Sequence, residues 1–432
     1  MPGCAVAVRG YLVWGTERRH RSLCHTQSNL HGSPQLSENR IERTQPLRAL
    51  AIVVGLLLIT ACLQDVFEAV LLPRRIDREW RFMLFFYRFG WRTWSFLAKR
   101  MAGGRRRESV IAIFGPFSIM LLFASWGLSL IIGFGLIQWA LPPRYVPHLS
   151  LGRQLDRSAD AFFTLGTEDL VSRSQSSLVL TFLEAGTGFG YIALMVSYLP
   201  VLYSHFWQRD ARLVQLDARA GTPATAGTVL FRYGTLAKSS DLELWLADWE
   251  RWAADLVETH SAYPMLAFYR SQHENQSWLA TLAVILDLTT LLLAIGPDEM
   301  LMPASGAFLS ARKVLEEICT SLGVDSSREK SVAARVSAQD WMEVIEFLNT
   351  ASWKGFERRI DSSSVAALVG SYEPRLQALS RYLLLPLPSF LPPPGQRKYG
   401  AETDARVLLI ERLAGTSTAP TRPTGGTDNA TG

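Results

Sequence analysis

From Ser109 to Pro143 the chain carries no charged residue, and Val110 to Leu141 is dominated by Ile, Leu, Phe and Trp. A run of that length exceeds the roughly 20 residues needed to cross a hydrocarbon core about 30 Å thick, so a membrane span is the first expectation. Two more runs meet the same condition. Ser176 to Trp207 holds only Glu184 as a charge, and Ala49 to Leu72 is interrupted by Asp65 and Glu68 near its end. The remaining composition agrees, since 48% hydrophobic and 19% charged residues are not the proportions of an ordinary soluble domain. Four cysteines (Cys4, Cys24, Cys62, Cys319) with no C-x-x-C pair exclude a disulfide-stapled scaffold and a cysteine-rich zinc module. The net charge of +5 sits beside the apolar runs, which points to a lipid surface and not to nucleic acid.

Charge asymmetry gives an orientation. Residues 74 to 108 hold eleven Lys and Arg residues against Asp77, Glu79 and Glu108, a net of +8. Residues 142 to 175 hold Arg144, Arg153, Arg157 and Arg173 against Asp156, Asp160, Glu168 and Asp169, a net of zero. The positive-inside rule makes the first loop cytoplasmic and the second external. The chain after Gln208 then lies in the cytoplasm, in a multi-pass protein of the inner (plasma) membrane. Phe82 to Ala98 is aromatic but contains Arg88 and Arg92, each costing at least about 2.5 kcal/mol at mid-bilayer. It reads as an interfacial helix within the basic loop 74–108, with a further crossing as the alternative. Residues 1–46 are polar, patternless and without a signal-peptide core, so they read as a disordered extension.

The external loop contains Arg153 to Phe163, a helix-compatible stretch running into Thr164-Leu165-Gly166-Thr167-Glu168-Asp169. A short helix, then Thr-x-Gly, then an acid, between two spans, resembles the pore loop of potassium channels, whose signature is Thr-x-Gly-Tyr/Phe-Gly-Asp. The resemblance implies that oxygens of Thr164, Leu165, Gly166 and Thr167 replace the water shell of a permeant ion, potassium, with Asp169 at the outer mouth. In the pore-helix-and-filter segment 153–169, the half-helix Arg153 to Phe163 would aim its negative C-terminal end at the pore. Two positions depart from the signature: Thr167 replaces the bracing aromatic, and Glu168 replaces the second glycine. Four copies of Glu168 and Asp169 around one axis would make a ring that attracts monovalent cations. The bland alternative is an ordinary external loop.

Thr187-Gly188-Phe189-Gly190 looks filter-like too, but only about 15 residues would follow it to His205, short for a crossing. Gly186, Gly188 and Gly190 are better read as packing or bending points of an inner helix, with Pro200 as a kink further along. Together they mark where a gate would lie; close packing alone is the equal alternative. Glu184 is positioned to brace the pore helix from behind. Asp65 and Glu68, three apart on one helical face, suggest pairing with Arg74 or Arg75.

A more specific resemblance follows from DVFEAVLLPRR at 65–75, FFTLG at 162–166, EAGTGFGYIAL at 184–194, YLPVLY at 198–203, LDARAGTP at 216–223 and YRSQHENQSWLA at 269–280. On these the chain resembles bacterial membrane proteins of the potassium channel family. With one pore loop per chain, the resemblance implies a homotetramer. The alternative is a non-conducting scaffold or sensor that keeps the pore fold.

Beyond 208 the pattern is helical. Leu242, Trp245, Leu246, Trp249, Trp252, Ala253 and Leu256 recur at helical spacing behind a Ser-Asp start. Ser277 to Ile295 is almost wholly apolar apart from Asp287, and is expected to be a buried helix, with a further crossing as the alternative. Helices at Ser305–Leu322, Ala338–Asn349 and Ser362–Leu385 complete a domain over 208–385. Residues 386–432 form a Pro-rich segment and a disordered tail. No Rossmann or P-loop fingerprint, no metal-ligand motif and no catalytic residue set is present, so neither an enzyme nor a cofactor is expected. The expectation is an all-α membrane protein: a potassium-channel-like pore module with transmembrane helices at 49–72, 109–141 and 176–207, followed by an all-α cytoplasmic domain.

Overall fold

A computed structural model describes residues 34–71, 82–101, 104–141, 150–167, 175–221, 224–236, 239–273, 276–326, 335, 343–344, 346 and 362–391. The regular elements among them are all helical. The first helix, α1 (Pro34–Val66), begins inside the segment expected to be disordered, because Pro34 suits a first turn and the helix formers that follow propagate it. It ends in a π-helical turn at Phe67–Leu71. Next come α2 (Phe82–Arg100) and α3 (Arg105–Ala140), the latter containing the uncharged run.

Helices α1 and α3 pack antiparallel, and small residues set the distance. A Cβ added at Gly55 would lie 2.6 Å from the Gly133 carbonyl oxygen, and one at Gly133 would lie 2.7 Å from Ile59 Cγ1. Close backbone approach of this kind is how apolar helices associate where burial from water offers little. One turn further along, the Cys62 thiol reaches the Trp126 carbonyl at 3.4 Å, and the Trp126 indole N–H donates to Asp65 Oδ2 at 2.8 Å. Asp65 also accepts from the Met83 backbone N–H at 3.5 Å, which ties the end of α1 to the start of α2. Arg74 and Arg75, the partners expected for Asp65 and Glu68, lie outside the described residues. Glu68 accepts from Gln64 at 3.1 Å.

The short α4 (Leu151–Phe162) is capped by the Ser150 hydroxyl, which accepts from the Arg153 N–H. Helix α5 (Gln175–Ala220) is continuous over 46 residues, roughly 70 Å, with Pro200 inside it. The helix runs on across position 208, where the cytoplasmic domain is expected to begin. Arg209, Leu213, Leu216 and Ala220 keep a buried helical stripe going beyond the apolar run and lodge it in the C-terminal bundle.

That bundle comprises α6 (Ala226–Leu236), α7 (Ser239–Ala262), α8 (Trp278–Ile295), α9 (Leu301–Leu322) and α10 (Ser362–Leu383). The helix expected over Ala338–Asn349 lies outside the described residues except at 343–344 and 346, which are helical. The tryptophans Trp245, Trp249 and Trp252 of α7 are buried, with successive ring centroids 5.5 and 5.1 Å apart. Among the described residues, four helices are long and apolar enough to cross a membrane, at Gln45–Val70, Arg105–Ala140, Gln175–Ala220 and Trp278–Ile295. The protein covers 33%, 44% and 28% of the apolar windows of the first three but 83% of the fourth. Helix α8 is thus the centre of the bundle. Its one charge, Asp287, meets Arg335 Nη2 at 2.8 Å and accepts from the Tyr372 hydroxyl at 2.8 Å. The Arg335 guanidinium also donates to Glu373 at 3.0 Å and to the Pro388 carbonyl at 2.8 Å, so the buried charges are paired from several elements.

Candidate pore-loop site

Helix α4 sits between α3 and α5, and each contact depends on a small or polar residue. A Cβ at Gly135 would come within 2.7 Å of Leu155 Cδ2, and one at Gly188 would overlap the Phe162 carbonyl. Tyr191 of α5 donates its hydroxyl to the Phe123 carbonyl of α3 at 2.6 Å, and its ring lies against Phe162 at 5.7 Å between centroids.

Behind α4 lies a buried polar chain. Glu184 is fully buried and accepts from Gln138 Nε2 at 2.6 Å and from the Ser158 hydroxyl. Gln138 Oε1 in turn accepts from Gln154 Nε2 at 2.6 Å, and Ser158 reaches the Ile131 carbonyl at 2.7 Å. One carboxylate of α5 therefore joins α3 and α4 into a unit, and breaking it would strand several buried polar groups. The bracing expected of Glu184 is present. Gln138, Gln154 and Ser158 escaped the sequence reading; the signal was available as polar residues at buried positions of otherwise apolar segments, with Gln154 and Ser158 four apart on one face of α4.

After Phe162 the chain turns back on the helix end. The N–H groups of Phe163, Thr164 and Leu165 donate to the carbonyls of Ala159, Ala161 and Asp160 at 3.0, 3.2 and 3.0 Å. The Asp160 carboxylate accepts from the Thr167 N–H at 3.0 Å and from its hydroxyl. Thr164 and Gly166 adopt positive φ, 53° and 69°. For Gly166 this is free of strain, whereas Thr164, with a branched Cβ, is held there by the turn around it. The N–H groups are thus directed into the helix end, and no carbonyl of Thr164, Leu165, Gly166 or Thr167 takes a hydrogen bond from another described residue. These four residues are exposed, Leu165 by 65%. Glu168 and Asp169, the rest of the expected filter, lie outside the described residues.

The three glycines of α5 divide by environment. Gly188 is the contact with α4, while a Cβ at Gly186 or Gly190 would meet nothing within 4 Å. Pro200 lies on the exposed side. Phe182, Phe189, Val196 and Tyr203 recur every seven residues on that uncovered face and are 64%, 71%, 67% and 38% exposed.

The lower part of α5 enters the bundle through buried Arg209, whose guanidinium donates to the Leu266 and Tyr269 carbonyls at 2.8 and 2.9 Å. Close by, His260 of α7 packs on the Trp278 ring at 5.4 Å, and its Nδ1 lies 3.1 Å from the Leu256 carbonyl. Burial and the nearby Arg209 charge push the His260 imidazole down to about 3. Among the described residues no group of three His, Cys, Asp or Glu side chains could hold a metal ion. No protein-family model matches the chain, and no curated protein or solved structure is significantly similar to it.

Proposed function

We propose that the chain forms a homotetrameric cation channel in the cytoplasmic membrane, conducting potassium, with its filter over Thr164 to Asp169 and its C-terminal bundle in the cytoplasm. The observation that carries this reading is the seating of α4. A short helix is held between two long apolar helices by the Glu184 chain and by Gly188, and it ends in an exposed loop whose carbonyls take no hydrogen bond from another described residue. Carbonyl oxygens replace an ion's hydration shell in a filter, and irregular backbone is tolerated at membrane depth where it lines a water-filled cavity. The heptad stripe on α5 suits the meeting of copies around an axis. Gly186 and Gly190, where an added Cβ would meet nothing within 4 Å, and the exposed Pro200 are the gating points in this reading, and Gly188 is a packing residue.

A second reading is favoured by one observation. The Asp160 carboxylate ties Thr167 back to α4, which holds the loop curled against the helix end and suits a non-conducting scaffold or sensor. Recording from the purified protein in planar bilayers, potassium on one side and sodium on the other, separates the two. Unitary currents reversing toward the potassium equilibrium potential support the channel. Silence across voltage and pH from a verified tetramer supports the scaffold, and a stable monomer defeats the pore assembly altogether.

A further inference from the structure

We propose that α2 and the first turn of α3 form a binding surface for anionic phospholipid headgroups, with Phe85, Phe89 and Phe96 seated in the acyl boundary. Helix α2 has two aromatic faces. One, through Met83, Tyr87, Trp91 and Ala98, is buried against the protein. The other carries Phe85, Phe89 and Phe96, which stand at i, i+4 and i+11 on the opposite face and are 67%, 64% and 53% exposed. The rings of Phe85 and Phe89 stack at 6.1 Å between centroids, so the stripe is continuous.

Cations flank this stripe. Arg92, Lys99 and Arg100 are exposed beside it, and the Arg100 guanidinium lies 4.2 Å over the Phe96 ring. Arg105 and Arg106 follow on the first turn of α3, also exposed. Over residues 82–108 seven Lys and Arg residues face a single acid, Glu108, which is engaged by Arg270 at 3.3 Å. The apolar surface resumes immediately above these cations, at Ile113, Phe117, Met120 and Leu121 of α3, all at least 47% exposed. A belt of cations at the foot of the uncharged run of α3, beside an aromatic stripe on the helix packed against it, matches the layering of a leaflet: phosphates outside, acyl chains within. This continuity and charge match select lipid over a second copy of the chain, which would carry the same positive belt.

The opposite face of α2 holds the bundle. Arg88 Nε donates to the Leu322 carbonyl at 3.2 Å, and Trp91 Nε1 donates to the Tyr382 carbonyl at 2.7 Å. Headgroup occupancy is thereby linked to α9 and α10, and the surface stands whether or not the loop conducts.

The test uses the full-length protein in nanodiscs of phosphatidylcholine with phosphatidylglycerol. A nitroxide is attached at F89C after replacement of Cys4 and Cys24; Cys62 and Cys319 are buried from the reagent. Accessibility to oxygen with shielding from a water-soluble nickel complex is expected. A label open to nickel overturns the proposal, and a label shielded from both reagents overturns it in favour of a protein partner. Native mass spectrometry of the purified protein then compares retained phosphatidylglycerol and phosphatidylcholine. Each basic residue near an anionic surface is worth about fivefold, so R92Q/K99Q/R100Q is expected to lower the preference for phosphatidylglycerol on the order of a hundredfold. R251Q, at a side chain 70% exposed on α7, leaves it unchanged. Equal retention by the triple variant and the parent, at matched elution volume, also overturns the proposal.

Discussion

Gly188→Ala, set against Gly186→Ala, isolates the contact that seats α4. A Cβ at Gly188 would overlap the Phe162 carbonyl oxygen and lie 2.9 and 3.0 Å from its carbonyl carbon and Cα. These are backbone atoms at the end of a helix, so no rotamer change relieves them and one helix must shift. Overpacking of this kind costs about 1–3 kcal/mol, while the change from glycine to alanine within a helix returns about 1 kcal/mol. At Gly186 nothing lies within 4 Å, and the helical gain stands alone. The two variants should therefore differ by about 1–3 kcal/mol in opposite directions from the parent, a separation of a few degrees in unfolding midpoint for a chain of this size. Thermal unfolding in detergent, at one fixed scan rate because such unfolding is often irreversible, measures it. Coincident midpoints for the two variants would refute the seating of α4 on Gly188.

Under the channel reading, Glu168→Gly raises potassium selectivity by restoring a residue free of Cβ constraint; unchanged reversal potentials in a conducting parent and variant would sink the filter assignment. The bundle should lose stability in acid. His260 is held neutral, with its folded value near 3 below the ordinary 6.5, so its contribution is complete above about pH 6.5 and is lost as pH falls toward 3. His260→Phe is expected to flatten that part of the curve of unfolding midpoint against pH; an unaltered slope contradicts it. Arg335→Ala leaves Asp287 and Glu373 buried without their guanidinium, a loss of about 3–5 kcal/mol. Limited trypsin digestion should then open the bundle at concentrations that spare the parent, and equal resistance would argue that the network is dispensable.

Hydropathy averages capture what is continuous and miss what is local. The run from Ser109 to Pro143 announced α3 because nothing interrupts it, and the Trp245–Trp249–Trp252 stripe announced α7 because its spacing is helical. Glu184 was legible as a lone charge among apolar residues, which requires a partner. Its partners Gln138, Gln154 and Ser158 were not, since neutral polar residues scarcely move an average and their meeting depends on three helices crossing. Trp278–Ile295 shows the converse. Its composition equals that of a span, and only the surrounding amphipathic helices, with Arg335 reaching Asp287, make it a core. The unbroken course of α5 past 208 was written in the Arg209, Leu213, Leu216, Ala220 spacing, but a change from apolar to mixed composition masks a helix that merely changes surroundings.

Such a helix behaves as a lever. Taken as one rod, the roughly 50 Å of α5 from Gly188 to Ala220 would swing its far end through about 4 Å for a tilt of about 5° about Gly188. The fulcrum is the Glu184–Ser158 and Gly188–Phe162 attachment near the upper end, and the long arm terminates among α6, α7 and α8. On that geometry a displacement of the bundle end would reach the loop reduced in amplitude, and a small rotation at the loop would reach the bundle enlarged.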